Sequence, residues 1–533
     1  MSGSSSAGQT GIDGAQVRKH TSVLDRPDPP ASVAPDRSEH TPRRPLAVIC
    51  ALTLMAAVLW SWRLADKSLF RDEAFTASTV LRSWDSLLRL TFHDEANGAA
   101  HAYLLKAWTA FGSSEAVLRS FSVLCTILTV PIVAAIGWRL VSSRVAVLSA
   151  ALFILNGSVA AHAQNARAYA LAMLLAGAAT LLFVADVQRP RRASVAGWVV
   201  CCALLVYANL VGGLIVVCHL ASLWFLPEED RRWRRRIIAA GVVAVATLPL
   251  IALIAGHKEN QRLAAFDPGA YRDVLFTLSG RAGVIGVVSA SVLAFLALRT
   301  TVRTWKAGLR SRPAWSQAVV LMWAALPLCI LTLMSPVRPM VIGRYLLFSL
   351  PAIAIYAAMG LDGAVKDYER RPNRSGLWMA VVPLVLALAA GVYGLKYWYT
   401  DGGEEDWRQS ARHVFDRAGP QDRILFANDS VRLFFEYYRP PGDPGSLPEP
   451  TFPADEWGDF ETGDQTYESF GPGAVQELLD GPRGRVWLVV GHDHVNTESF
   501  EDLVDQLGTS YSTVERTPFK GGIEVVLLAP RQS

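Results

Sequence analysis

The chain has 533 residues, 51% of them hydrophobic and 18% charged, with a mean hydropathy of +0.25. So large an apolar load with so few charges excludes an ordinary large soluble protein and points to an α-helical polytopic membrane protein. The net charge of +4 gives no basis for nucleic-acid binding, because the arginines fall between apolar runs rather than along one face.

Residues 1–45 are rich in Ser, Pro, Asp and Arg without apolar periodicity, so a disordered cytoplasmic tail is expected there. The first apolar run, 46–62, can span a bilayer, which takes roughly 20 apolar residues. It begins too late and runs too long to be a cleavable signal peptide. Eleven spans are expected, over 46–63, 117–138, 145–161, 168–187, 195–210, 211–226, 236–256, 282–299, 317–335, 342–361 and 376–395. Arginine-rich connections at 139–144, 189–192, 231–236, 299–312 and 366–374 alternate with loops poorer in basic residues. The positive-inside rule puts the Arg-rich set, with Arg43-Arg44, in the cytoplasm, and an odd number of spans leaves the C-terminus outside. The 231–236 run reads as a topology determinant. Trp60, Trp62, Tyr397 and Trp398 near span ends read as an aromatic belt. All six cysteines fall within spans, so no disulfide is expected to hold an outer domain and no metal-ligand spacing forms.

Two regions outside the spans are large. The first outer loop, 64–116, includes Ser83-Trp84-Asp85-Ser86-Leu87-Leu88-Arg89-Leu90, which suits an amphipathic interfacial helix. The tail, 396–533, has strand-type apolar runs at 422–427, 485–490 and 522–528, with helical stretches at 407–417, 474–479 and 499–507. A small extracytoplasmic α/β domain is expected, with the Pro/Gly-rich 439–453 as a surface loop. Aromatics in Trp457-Gly458-Asp459-Phe460 make this domain a candidate acceptor contact.

The spans place four polar groups at the outer boundary: Asp72-Glu73, Glu95-Ala96-Asn97-Gly98, Gln164-Asn165-Ala166-Arg167-Ala168-Tyr169, and 338–345 with Arg344-Tyr345. Acids and arginines at membrane depth are costly and often functional. A carboxylate there can take a proton from an acceptor hydroxyl, and forked guanidinium donors suit a lipid phosphate. Each group also has a plainer reading: snorkelling arginines at 167 and 344, acids capping a helix N-terminus at 72 and 73, and packing histidines at 101 and 162. The coincidence of acids and arginines on one face favours the functional reading.

At these residues the chain resembles the GT-C-fold glycosyltransferases of the protein-mannosyltransferase and aminoarabinose-transferase group, family 39-like. Phe70-Arg71-Asp72-Glu73-Ala74 resembles the acidic pair of that family's first outer loop, and residues 95–108 resemble the segment before its second span. Gln164-Asn165-Ala166-Arg167-Ala168-Tyr169 resembles its Glu-Ala-Arg-x-Tyr segment. Gly343-Arg344-Tyr345, with Pro351, resembles its late Arg-Tyr segment, and Asp406-Trp407-Arg408 its post-membrane helix. The resemblance spans about residues 45–395 and implies a GT-C-like bundle. It implies inverting transfer of a sugar, mannose first among the candidates, from a polyprenyl-phosphate donor to a hydroxyl on a glycan, lipid or protein acceptor outside the cytoplasm. Carried over by position, Asp72 is the expected general base and Glu73 orients the acceptor or Asp72. Glu95, Asn97, His101, Gln164, Arg167, Tyr169, Arg344 and Tyr345 are the substrate-binding candidates, with the two arginines on the lipid phosphate. No cofactor is expected, since cationic side chains can stabilise a phosphate leaving group; a divalent cation is then optional, and no metal-ligand set is apparent. Two departures fall beside the expected cavity: Asn97-Gly98-Ala99 replaces the His-Pro-Pro of many relatives, and Asn165 replaces the usual Glu. The competing functions are a lipid or glycan transporter, which would carry its polar groups at mid-membrane, and a non-catalytic membrane scaffold. The Ala-, Arg- and Gly-rich composition suits a bacterial plasma membrane.

Overall fold

The computed structural model describes residues 43–93, 96–256, 269–336, 340–400, 405–426, 429–440, 450–452, 484–491 and 507–531. Residues 1–42 of the expected N-terminal tail, Glu95, the 457–460 aromatics, the expected helix at 474–479 and all but Leu507 of that at 499–507 lie outside them, while 43–45 open the first helix.

Among the described residues, seven helices are long and apolar enough to cross a membrane: Glu115–Leu140, Tyr169–Gln188, Glu228–Ala255, Gly283–Ala307, Arg312–Met334, Gly343–Arg370 and Arg374–Thr400. Ser143–Leu155 and Gly157–Ala163 make an eighth if taken as one span, bent by 65°. Three shorter apolar helices, Pro45–Ser61, Arg192–Ala208 and Leu210–Phe225, occupy the remaining expected positions. The bend follows from the sequence at Asn156, whose side-chain Oδ1 accepts from the N–H groups of Ser158 and Val159 at 3.0 and 3.2 Å. That cap starts a new helix instead of continuing the old one. Glycine then allows a close crossing. A Cβ on Gly157 would lie 2.4 Å from the Gly280 carbonyl oxygen and 2.7 Å from the Gly394 carbonyl carbon.

The apolar core runs through the bundle, and Gly343–Arg370 is its central helix, 89% buried along its apolar window. Trp60 belongs to this core: it is fully buried with its ring edge-on to Phe153 at 6.3 Å, which corrects its assignment to an aromatic belt. The 231–236 arginines do more than mark topology. Arg235 and Arg236 both pair with the buried Asp186, at 3.1 and 3.3 Å.

Between the first two apolar helices the chain forms three short helices, Arg71–Leu81, Trp84–His93 and Ala99–Trp108. The second is amphipathic, burying Leu87 and leaving Trp84, Leu88 and Phe92 exposed. After Thr400 the described residues form a five-stranded sheet, β1 (Arg423–Phe426), β2 (Pro450–Phe452), β3 (Val486–Val490), β4 (Tyr511–Phe519) and β5 (Ile523–Pro530), in the order β2-β1-β3-β5-β4. β1 is parallel to β2 and β3, and β5 is antiparallel to β3 and β4. β2 falls inside the stretch expected to be a loop. Helices Trp407–Phe415 and Asp429–Tyr438 pack together, with Trp407 stacked on Phe434 at 4.2 Å.

Candidate functional site

Asp72 and Glu73 open the Arg71–Leu81 helix, where the N-terminal dipole favours acids. Their surroundings differ sharply. Glu73 is 1% exposed. Its carboxylate pairs with Arg119 at 2.6 and 2.9 Å, accepts the Ala166 N–H at 2.9 Å and accepts the Phe70 N–H at 3.3 Å. The last bond is half of a capping box. With its carboxylate bonded inward to Arg119, Ala166 and Phe70, Glu73 does not face an acceptor, which leaves the other role expected for it, orienting Asp72. It is a positioning residue that joins the Asp72 helix to the loop carrying Arg167.

Arg119 was missed from sequence because it sits inside an apolar run. Besides Glu73, its guanidinium donates to the carbonyls of Leu64, Lys67 and Ser68 at 3.1, 2.8 and 2.9 Å. A second arginine grips the same segment from the sheet region. Arg408 donates to the carbonyls of Ala65 and Lys67 at 2.8 and 3.1 Å and pairs with Glu115 at 2.5 Å. Tyr438 accepts from the Leu69 N–H at 2.7 Å and donates to Glu115. Burial and the Glu115 charge push its phenol well up, so it keeps the proton it donates. The backbone leading into Asp72 is therefore fixed on two sides.

Asp72 itself is partly open, its side chain 23% exposed. Its carboxylate accepts from Arg344 Nη1 at 3.2 Å and lies 4.0 Å from Arg167 Nε. Arg167 is held one turn further along the helix, donating to the Asp72 carbonyl at 3.3 Å and to Thr76 Oγ1 at 3.1 Å. Arg344 is fixed through its neighbour, since the Gly343 N–H donates to Asp273 at 2.9 Å. Residues separated by 272 positions in the chain thus meet at one carboxylate.

Beside this triad lies a cavity of about 260 Å³ lined by Arg167, Tyr169, Arg344, Tyr345, His101 and Asn97 among others. Six of the sequence-derived candidates therefore converge. His101 is buried and its Nε2 has no hydrogen-bond partner among the described residues. Burial, with Arg167 second, lowers its pKa well below the usual imidazole range, so it is neutral at pH 7. Asn97 is exposed and accepts from the Leu210 N–H at 3.2 Å. Gly98 follows it with φ of +95°, a left-handed conformation that glycine adopts without strain. Tyr169 is buried against His162, their rings 5.1 Å apart.

Gln164 is elsewhere. Its amide donates to the carbonyls of Trp60 and Trp62 at 2.9 and 2.7 Å and accepts from the Trp398 indole at 2.8 Å. It ties the first and last apolar helices together, which corrects its place among the substrate contacts. Arg281 was also missed: it is partly buried, and its Nε has no hydrogen-bond partner among the described residues. Among the described residues no cluster of three or more His, Cys, Asp and Glu side chains is placed to hold a metal ion.

Among the described residues the arrangement offers one accessible carboxylate, two cations that share it, and a polar cavity bordered by both cations. A phosphate would compete with Asp72 for the same guanidinium donors, which frees the carboxylate to act as a base.

No protein-family model matches the chain, and no curated protein matches it by sequence. Solved structures do match. ArnT from Cupriavidus metallidurans in the apo state aligns with a TM-score of 0.57 at 15% identity, covering 90% of this chain and 98% of that one. The same protein bound to undecaprenyl phosphate gives a TM-score of 0.57 at 15% identity, covering 91% and 98%. The Archaeoglobus fulgidus oligosaccharyltransferase tethered with an acceptor peptide gives 0.53 at 12% identity, covering 93% and 75%. At such identities the likeness establishes the fold: the chain has the GT-C architecture of polytopic membrane glycosyltransferases.

Proposed function

We propose that this protein is an inverting glycosyltransferase that takes a sugar from a polyprenyl-phosphate donor and places it on an acceptor hydroxyl. The observation that carries the reading is Asp72, held between Arg344 and Arg167 at the edge of a polar cavity. The acceptor oxygen attacks the anomeric carbon as Asp72 accepts its proton. The bond from that carbon to the phosphate oxygen breaks, and polyprenyl phosphate leaves with the electron pair. Arg167 and Arg344 stabilise the charge that develops on the phosphate, a task that preorganised donors perform without a metal ion. Tyr169, Tyr345, His101 and Asn97 surround the sugar or headgroup. The solved structure of ArnT with undecaprenyl phosphate supports a lipid-phosphate ligand for this architecture.

Mannose is the first donor to test, with arabinose-type, galactose and glucose donors beside it, and a glycan, lipid or protein as acceptor. The Arg-rich end of the bundle faces the cytoplasm by the positive-inside rule. Asp72 and the sheet region then face outward across the bacterial plasma membrane. The test is transfer in nanodiscs from a panel of radiolabelled polyprenyl-phosphate sugars, using wild type and Asp72→Asn. Transfer or slow hydrolysis of one donor, reduced about 10²–10⁴-fold in the variant while lipid binding persists, supports the reading. A folded wild type inert toward every donor, or a variant as active as wild type, overturns it in favour of a transporter or scaffold.

A further inference from the structure

At the Arg-rich end of the bundle five helices converge on a second polar cavity, of about 540 Å³. They are Glu115–Leu140, Tyr169–Gln188, Gly283–Ala307, Arg312–Met334 and Leu350–Arg370. Five cations line it, Arg139, Arg303, Arg312, Lys366 and Arg370, against two carboxylates, Asp362 and Asp367. The carboxylates are already occupied. Asp362 pairs with Lys366 at 2.7 Å and Arg144 at 3.5 Å, and Asp367 pairs with Arg299 at 3.1 Å and with Arg303. Arg312 pairs with Asp230 at 3.0 Å, outside the cavity. Arg139 reaches only the neutral side chain of Gln188, at 3.3 Å, and among the described residues neither Arg139 nor Arg370 has a carboxylate partner. The cavity therefore carries an excess of positive charge that the protein does not neutralise. Its walls include Val141, Val187 and Met359, so an apolar flank adjoins the charged mouth.

We infer that this cavity binds the phosphate of an anionic ligand, at a site separate from Asp72 and independent of the transfer reaction. Guanidinium forks match phosphate oxygens. Basic pockets between membrane helices near the bilayer surface suit lipid phosphates, and the apolar flank suits the start of an acyl chain. The same chemistry admits a soluble phosphate or pyrophosphate group.

The test uses the full chain in phosphatidylcholine nanodiscs, in nanodiscs doped with phosphatidylglycerol, and in phosphatidylcholine nanodiscs with added pyrophosphate. Thermal unfolding is read in each, for wild type and for Arg139→Gln with Arg370→Gln. One probe should raise the wild-type Tm, and the double variant should need more of it. Two guanidinium contacts near a membrane surface are together worth about thirtyfold in affinity. Gln188→Glu, which sets a carboxylate against Arg139 and removes no cation, should weaken the response as well and serves if the double variant misfolds. A response to phosphatidylglycerol alone identifies a lipid headgroup, and a response to pyrophosphate alone identifies a soluble ligand. No response to either probe, or equal responses in wild type and variants, overturns the inference.

Discussion

At the end of the bundle that carries Asp72, the Glu73–Arg119 pair is 2% and 3% exposed, and both side chains are hydrogen-bonded into the surrounding backbone. At the Arg-rich end, Arg310 meets Glu228 at 3.0 Å with the side chains 47% and 75% exposed. The chemistry of the two pairs is the same and the surroundings are opposite. Water screens the second pair and leaves it little net worth. The first has lost its hydration, so each charge depends on the other. A carboxylate beside an arginine is therefore no sign of catalysis by itself. Enclosure decides, and at the Asp72 end it separates two neighbours in sequence: Glu73 is locked and Asp72 is left accessible.

The largest expected effect breaks the enclosed pair. Glu73→Ala or Arg119→Ala leaves a buried charge alone and should cost about 3–5 kcal/mol, seen as a steep fall in Tm or in the yield of folded protein. Replacing both residues with apolar ones should recover little here. The Leu64 and Ser68 carbonyls and the Ala166 N–H would still lose their partners, and the Lys67 carbonyl would keep only Arg408. Full recovery in the double variant would show that the pair serves only itself and does not position the segment before Asp72.

Arg344→Gln should act differently, because its pair with Asp72 is 46% and 23% exposed. Stability should hold. The KM for the lipid-phosphate donor should rise about tenfold to a hundredfold, as expected for losing a hydrogen bond to a charged group. A fall in Tm with unchanged KM would place Arg344 with the structural arginines instead.

The sequence revealed these differences unevenly. Hydropathy located the helices, since the bilayer imposes length and apolarity on each span. It did not find the break at Asn156, because a capping side chain leaves mean hydropathy unchanged. Strands β1, β3 and β5 were legible as apolar runs. The edge strand β4 was not: Tyr511–Phe519 reads YSTVERTPF and buries only its first residue. The Asp429–Tyr438 helix was overlooked although Val431, Phe434, Phe435 and Tyr438 recur at helical spacing. Within the site, Asp72, Arg167, Tyr169, Arg344 and Tyr345 were legible as polar groups at one boundary. Which of two adjacent acids turns inward depends on partners 46 and 93 residues away, and no local pattern encodes that. Arg119 did leave a signal, since an arginine inside an apolar helix requires a partner. Gln164 was misplaced because its neighbours Arg167 and Tyr169 do face the cavity.

The smallest expected effect lies at the opposite end. Glu228→Gln removes the carboxylate that Arg310 and Arg231 approach, at 3.0 and 3.7 Å, while keeping the side chain's size. Arg310 retains a second contact, its guanidinium 5.2 Å from the centre of the Trp224 ring. An exposed pair is worth about 0–1 kcal/mol, less at higher ionic strength. The variant should therefore unfold within a degree or two of wild type, and the gap should close as salt is added, whereas the Glu73→Ala deficit should persist at any ionic strength. A large, salt-insensitive loss from Glu228→Gln would mean that this end is enclosed in the folded protein, and the contrast drawn from exposure would fail.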